Sequence, residues 1–239
     1  YIIEMGQPLQ SEDFEPSNFY GLCTQLLIPL HKIKVKYFTP GIYKYFEPHR
    51  LEDKIKKHHY IPYITSELEG ITQCMRIKCP ELSNDALFNS LFRFLKNYSW
   101  YLKDWRPSGG YSLLHGDLHI GNIVRKRGAF FLIDFEYLRY GAAELEVTNL
   151  ITSCMVYHQK ENLNDQAVVK LNNDYMTIAE ILPSIDTTVL RFFLLFSLSL
   201  FFISSYLREE RDRLKIVREL LRYYNNFNYT QDTGSIKQQ

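Results

Sequence analysis

Residues 114–124 read Leu114-His115-Gly116-Asp117-Leu118-His119-Ile120-Gly121-Asn122-Ile123-Val124, and Asp134-Phe135-Glu136 opens twelve residues after Asn122. Two short apolar runs, Tyr111 to Leu114 and Ala129 to Ile133, flank this polar loop, with a third small strand at Gly121 to Val124 and a tight turn at Arg125 to Gly128. Period-two character around a glycine-containing turn predicts a β-hairpin. A hairpin returns Asp134 beside the loop that carries Asp117 and Asn122. Phosphoryl transfer needs little covalent chemistry from a protein. It needs a carboxylate to orient or deprotonate the attacking hydroxyl, and hard oxygen ligands to hold Mg²⁺ against nucleotide phosphates. Asp117 can serve the first need, and Asn122 and Asp134 the second. Asp and Asn are also ordinary turn residues, but the combined spacing is far more specific than any one of them.

Composition narrows the remaining classes. The chain has 239 residues, with 28 Lys plus Arg against 27 Asp plus Glu and a formal net charge of +1. Affinity for nucleic acid comes largely from neutralising phosphates, and no basic surplus exists here to do it. A hydrophobic fraction of 46% with 23% charged residues suits a folded domain with a sizeable core. Cys23, Cys74, Cys79 and Cys154 form no zinc pattern and read as reduced structural thiols, which points to the cytoplasm. The run FFLLFSLSLFFI, Phe192 to Ile203, lies between Arg191 and the charged cluster 208–211. A membrane-spanning helix needs about 20 apolar residues, so the run predicts a buried core helix and no transmembrane segment. Tyr1-Ile2-Ile3-Glu4-Met5-Gly6 opens without an initiator or signal peptide, as a fragment would.

Ser17 reads as the N-cap of a helix with Phe19, Leu22, Cys23, Leu26, Leu27 and Leu30 at helical spacing, disturbed near its end by Pro29. From Lys32 to Pro80 the pattern is not decisive; the basic stretch Lys54 to His59 reads as a solvated helical face. A helix is predicted from Glu81 to Trp105, stopped by Pro107-Ser108-Gly109-Gly110. Beyond Gly141 the predicted helices are Ala143 to His158, Asp165 to Leu182, Thr187 to Leu207 and Glu209 to Tyr224, before a fraying polar tail from Asn225.

The stretch Leu114 to Glu136 resembles the aminoglycoside phosphotransferase and choline kinase superfamily, relatives of the protein kinases that phosphorylate small-molecule hydroxyls. Leu30-His31 and Tyr1 to Gly6 resemble, more loosely, the family's first large-lobe helix and its interlobe hinge. The resemblance implies an α+β, kinase-like large lobe, mainly helical with a small β-hairpin. It implies a hinge strand at 1–6, the lobe at 7–228 and a polar tail at 229–239. Asp117 would be the catalytic base, Asn122 and Asp134 the metal ligands, and His115 a structural member of the catalytic loop. Glu136 would touch metal, substrate or neither. Glu4 and Gly6 would meet the nucleotide base through their backbone, over an apolar floor of Val124 and Ile133. The implied cofactors are ATP, or another nucleoside triphosphate, and Mg²⁺.

Two departures accompany it. The family often has a Gly followed five residues later by an Asp that braces the catalytic loop; here Gly141 is followed by Glu146. The phosphate-covering loop and strand lysine of a small lobe have no counterpart ahead of Tyr1, so the small lobe is expected to be missing and the ATP site partial. The expected acceptor is a small-molecule hydroxyl, with aminoglycoside-like antibiotics and cationic metabolites such as choline and ethanolamine among the candidates. Ile133-Asp134-Phe135-Glu136-Tyr137 leans toward the choline and ethanolamine kinases, His115-Gly116-Asp117 toward the aminoglycoside branch. A non-catalytic kinase-like binding module is the alternative. Glu144 and Glu146 would either line the acceptor pocket or cap the helix that follows.

Overall fold

The computed structural model describes residues 7–9, 13, 15–33, 60–78, 80–158, 165–180, 182 and 185–235. The hinge expected at Tyr1 to Gly6 and the basic stretch Lys54 to His59 lie outside them. Helix α1, Pro16–Leu22, starts one residue after its N-cap Glu15, because proline fits the first helical position, where no amide hydrogen is needed. This displaces the cap from Ser17. A π-helical turn, Cys23–Leu27, leads into the short helix α2, Ile28–His31, with the Ile28 amide reaching back to the Cys23 carbonyl. The widened turn accommodates Pro29, which has no amide hydrogen to give to the ladder.

Helix α3, Tyr60–Lys78, lies in the segment whose pattern is indecisive. Residues Pro80–Asn84 wind as a 3-10 turn, and α4, Ala86–Tyr101, starts at Asp85, whose carboxylate accepts the Phe88 amide at 2.9 Å. The helix predicted from Glu81 is therefore shorter at both ends. The remaining helices are α5, Ala143–His158; α6, Asp165–Glu180; α7, Thr187–Leu207; and α8, Arg211–Ser235. The last continues well past the predicted end at Tyr224.

Strands β1, Gln7–Pro8, β3, Ile123–Lys126, and β4, Ala129–Leu132, form an antiparallel sheet in the order β1-β3-β4. Its hairpin pairs Ile123 with Leu132 and Lys126 with Ala129. The two turn residues, Arg127 at φ 51° and Gly128 at φ 80°, both take the positive φ that matches the strand twist. Gly121 belongs to a 3-10 turn, Ile120–Asn122, so the predicted strand starts later, at Ile123. A second ribbon pairs β2, Ser112–Leu114, with β5, Arg139–Gly141, a strand that the sequence pattern does not announce.

Helix α7 is apolar on every side and forms the core, packed against α4, α5 and α8. Phe193 meets Trp105 at 5.7 Å and Tyr60 at 6.4 Å, while Phe202 stacks on Phe88 at 5.2 Å. Among the described residues, α7 is the one helix long and apolar enough to cross a membrane, and 67% of its apolar window is buried inside the protein. A polar seam fixes its register against α5: Ser197 Oγ donates to Asn149 Oδ1 at 2.5 Å and lies 3.3 Å from Thr148 Oγ1.

Truncating a fully buried phenylalanine costs the transfer energy of the ring and leaves a cavity. Phe202→Ala is expected to lower unfolding stability by about 3–5 kcal/mol in urea titrations. A loss below about 1 kcal/mol would contradict the packing described.

Candidate active site

Strand β2 delivers the chain into the 115–122 loop, whose shape rests on two buried side chains. His115 is fully buried, and its Nε2–H donates to the Ile133 carbonyl at 2.7 Å, because a carbonyl can only accept. This bond ties the loop to the residue preceding Asp134. The ring lies 4.9 Å from Phe135, and Nδ1 is buried with no hydrogen bond among the described residues.

Glu146, in the first turn of α5, is the second. Its Oε1 accepts the Gly116 amide at 3.1 Å, and its Oε2 lies 3.0 Å from His31 Nε2 in α2. The longer side chain thus makes the contact with the loop that an aspartate at this spacing was expected to make. Neighbouring Glu144 is also buried: its Oε1 accepts the Asp186 amide at 3.0 Å and its Oε2 has no partner among the described residues. Burial pushes its carboxyl pKa up, with the Asp186 amide opposing. Neither glutamate lines the cavity described below; both tie segments together.

Gly116 takes φ 86°, and a Cβ there would sit 1.9 Å from the Tyr137 carbonyl oxygen, so glycine is obligatory. Asp117 follows with its side chain half exposed, its Oδ2 3.8 Å from His119 Nε2. His119 Nδ1 accepts the Gly121 amide at 3.0 Å, which leaves the proton on the nitrogen facing Asp117. Asn122 is buried and its Nδ2 donates to the Asp117 carbonyl at 2.9 Å. That orientation leaves Oδ1 without a hydrogen bond among the described residues. Its backbone carbonyl accepts the Ile133 amide at 3.0 Å, which closes the hairpin onto the loop. Asp134 adopts a left-handed conformation, φ 64° and ψ 64°, tolerable for aspartate, and with Glu136 it stays exposed.

Asp117, Asn122 and Asp134 are therefore carried on segments hydrogen-bonded to one another. Asn122 Oδ1 and the Asp134 carboxylate are oxygen atoms of the kind Mg²⁺ takes, and the donor set fits that ion. Among the described residues no three His, Cys, Asp or Glu side chains form a metal cluster. Val124 is half-buried in β3 and Ile133 is 37% exposed. Glu4 and Gly6 lie outside the described residues.

A cavity of about 690 Å³ opens at Gly116, Asp117 and His119 and runs between α5 and the junction of α7 with α8. Asn149, Ser153, Val156 and Tyr157 line one side; Phe201, Arg208 and the first turn of α8 line the other, with Arg139 from β5. These wall residues lie outside the motif and carry no local signal in the sequence.

A sequence profile of the phosphotransferase enzyme family matches residues 75–177. Among solved structures, choline kinase from Cryptosporidium parvum Iowa II matches with a TM-score of 0.59 at 13% identity, over 93% of this chain and 68% of that one. The fold is that of the aminoglycoside phosphotransferase and choline kinase superfamily. Plasmodium vivax ethanolamine kinase aligns on this kinase-like large lobe with a TM-score of 0.54 at 19% identity, over 92% of this chain and 62% of that one. Aminoglycoside 2′-phosphotransferase-IIIa, in its GDP complex, gives 0.51 at 15% identity, over 94% of this chain and 69% of that one. The lobe thus spans about two thirds of the length of these structures. No curated protein matches it by sequence.

Removing Glu146 would strand the Gly116 amide and unpair His31, so Glu146→Ala is expected to cost about 2–3 kcal/mol. Glu146→Gln keeps an acceptor for Gly116 and should cost less; equal losses in chemical denaturation would contradict the brace. Glu144 gives a pH test. Its folded pKa is raised above the unfolded one, so its contribution is present at low pH and fades as pH rises through the folded value. Glu144→Gln should flatten the fall in thermal stability with rising pH; an unchanged slope would exclude Glu144 as its source.

Proposed function

We propose that this lobe belongs to an enzyme that transfers the terminal phosphoryl group of ATP, or another nucleoside triphosphate, to a hydroxyl of a small molecule. The observation that carries the reading is the coupling of Asp117, Asn122 and Asp134 through the Asn122–Asp117 and Ile133–Asn122 hydrogen bonds. Asp117 stands at the mouth of the cavity with its carboxylate free to accept a proton. In this reading it orients the acceptor hydroxyl and takes its proton as the oxygen attacks the terminal phosphorus. The bond from that phosphorus to the bridging oxygen breaks, and the nucleoside diphosphate leaves with the electron pair.

Asn122 and Asp134, with Glu136 nearby in sequence, would hold Mg²⁺. Bound there, the ion would offset the charge developing on the transferring group. His115 and Glu146 would act indirectly, by fixing the loop. Val124 and Ile133 would lie under the nucleotide base, with Glu4 and Gly6 meeting it through their backbone. The acceptor types of the structural neighbours, choline, ethanolamine and aminoglycosides, are starting points for substrate choice. Cys23 and Cys154 are buried free thiols, which suits a reducing compartment such as the cytoplasm.

The test is ADP release by the full-length protein with ATP, Mg²⁺ and a panel of alcohols. Asp117→Ala and Asp134→Ala should each reduce acceptor-dependent turnover by at least about 10²- to 10⁴-fold, with circular dichroism unchanged. Wild-type turnover in either variant would sink the assignment and favour a binding module.

A further inference from the structure

We propose that the acceptor is an alcohol carrying an anionic group, a carboxylate or a phosphate, which the arginines of the cavity wall bind. The chemistry rests on the reading of Asp117 as the base; the charge of the wall does not. Arg139, Arg208, Arg211 and Arg213 all line the cavity that opens at Asp117, together with Glu210 and Asp212. Arg213 and Glu210 are committed to each other, Nη1 to Oε2 at 3.0 Å, and the Arg213 guanidinium lies over the Phe201 ring at 4.7 Å from its centre. Among the described residues Arg139, Arg208 and Arg211 form no ion pair. Three arginines without an ion pair thus line the cavity beside Asp212, which has none either among the described residues, and Asp117 is assigned to the hydroxyl.

A cationic acceptor placed in this cavity would meet four arginines against three carboxylates, Asp117, Glu210 and Asp212. Burial is the main cause that disfavours protonation of His119; Asp117 opposes it, and Arg213, His115 and Arg208 add smaller contributions in the same direction as burial. A guanidinium presents paired donors in a planar fork that matches a carboxylate or phosphate. Val156, Tyr157, Leu200 and Phe201 supply an apolar side for the carbon body, and about 690 Å³ suits a metabolite. The arginines come from three separate elements, β5, the C-cap of α7 and the first turn of α8, so the charge converges only in the folded chain.

The experiment measures acceptor-dependent ADP release by the full-length protein for hydroxy acids, sugar phosphates, neutral sugars, choline, ethanolamine and aminoglycosides at constant ionic strength. Anionic acceptors should show kcat/KM at least about tenfold above neutral or cationic ones. The Arg208→Gln, Arg211→Gln double variant should raise their KM about 10- to 100-fold, mostly sparing kcat, and the corresponding Lys variant should restore part of it. Preference for a cationic acceptor, or an unchanged KM in the Gln variant, overturns the inference while Asp117-dependent turnover keeps the catalytic reading. Calorimetry with glycerol 3-phosphate separates the opposite case. Wild-type binding that weakens at least tenfold in the Gln variant, without any Asp117-dependent turnover, retains the anionic pocket and removes the catalytic reading. Absent or unchanged binding, together with that missing turnover, overturns both.

Discussion

The Glu146 carboxylate is the contact on which the geometry of the site depends. One oxygen holds the Gly116 amide and the other holds His31, so a single buried side chain joins α2, α5 and the loop that carries Asp117. A buried acceptor shared between two donors is strong because water is excluded and costly to break because either donor is then stranded. His115 extends the linkage across to Ile133, and the Ile133 amide extends it to Asn122. The half-exposed groups, Asp117 and Asp134, thus stand on a backbone that is fixed from beneath. Side chains left open in this way keep their polar atoms available to a ligand while the backbone beneath them is fixed.

Local chemistry made several elements readable from the chain alone. Arg127-Gly128 between two apolar runs announces the hairpin, because both turn positions need positive φ. Thr187 to Leu207 is announced by the apolar run Phe192 to Ile203 at its centre, and the structure adds Asp186 ahead of it as a cap. The motif residues could be named because the required side-chain types fall within a short stretch of sequence. Helix α3 was not readable: Pro62 and Gly70 interrupt its pattern, and its place is decided by distant contacts, such as the Tyr60 hydroxyl accepting the Ala142 amide at 3.0 Å. Strand β5 has three residues and exists through its pairing with β2. The arginine wall is likewise a product of tertiary structure, since Arg139 and Arg208 come to line one cavity only once α5 and α7 have packed. The motif residues are thus named by short stretches of sequence, whereas the cavity wall is visible only in the folded chain.

The two faces of the cavity differ in how they are held. The loop side is cross-braced by buried hydrogen bonds. The opposite side is built where α7 ends at Leu207 and α8 begins at Arg211, with Glu209 in a left-handed turn at φ 55° between them. A motif loop fixed by its surroundings and a cavity wall set on a helix junction allow one to vary without disturbing the other.

Helix α7 has a further consequence during biosynthesis. A segment of 21 residues long and apolar enough by composition to cross a bilayer leaves a large apolar surface bare until its partners pack on it. Its order in the chain limits the time for which that surface is bare. Two of its packing partners, α4 and α5, are synthesised before it, so a partial groove can exist when α7 emerges. The closing helix, α8, follows after a connection of only a few residues. The helix that makes the core is thus shielded from its surroundings by the sequence of its own assembly.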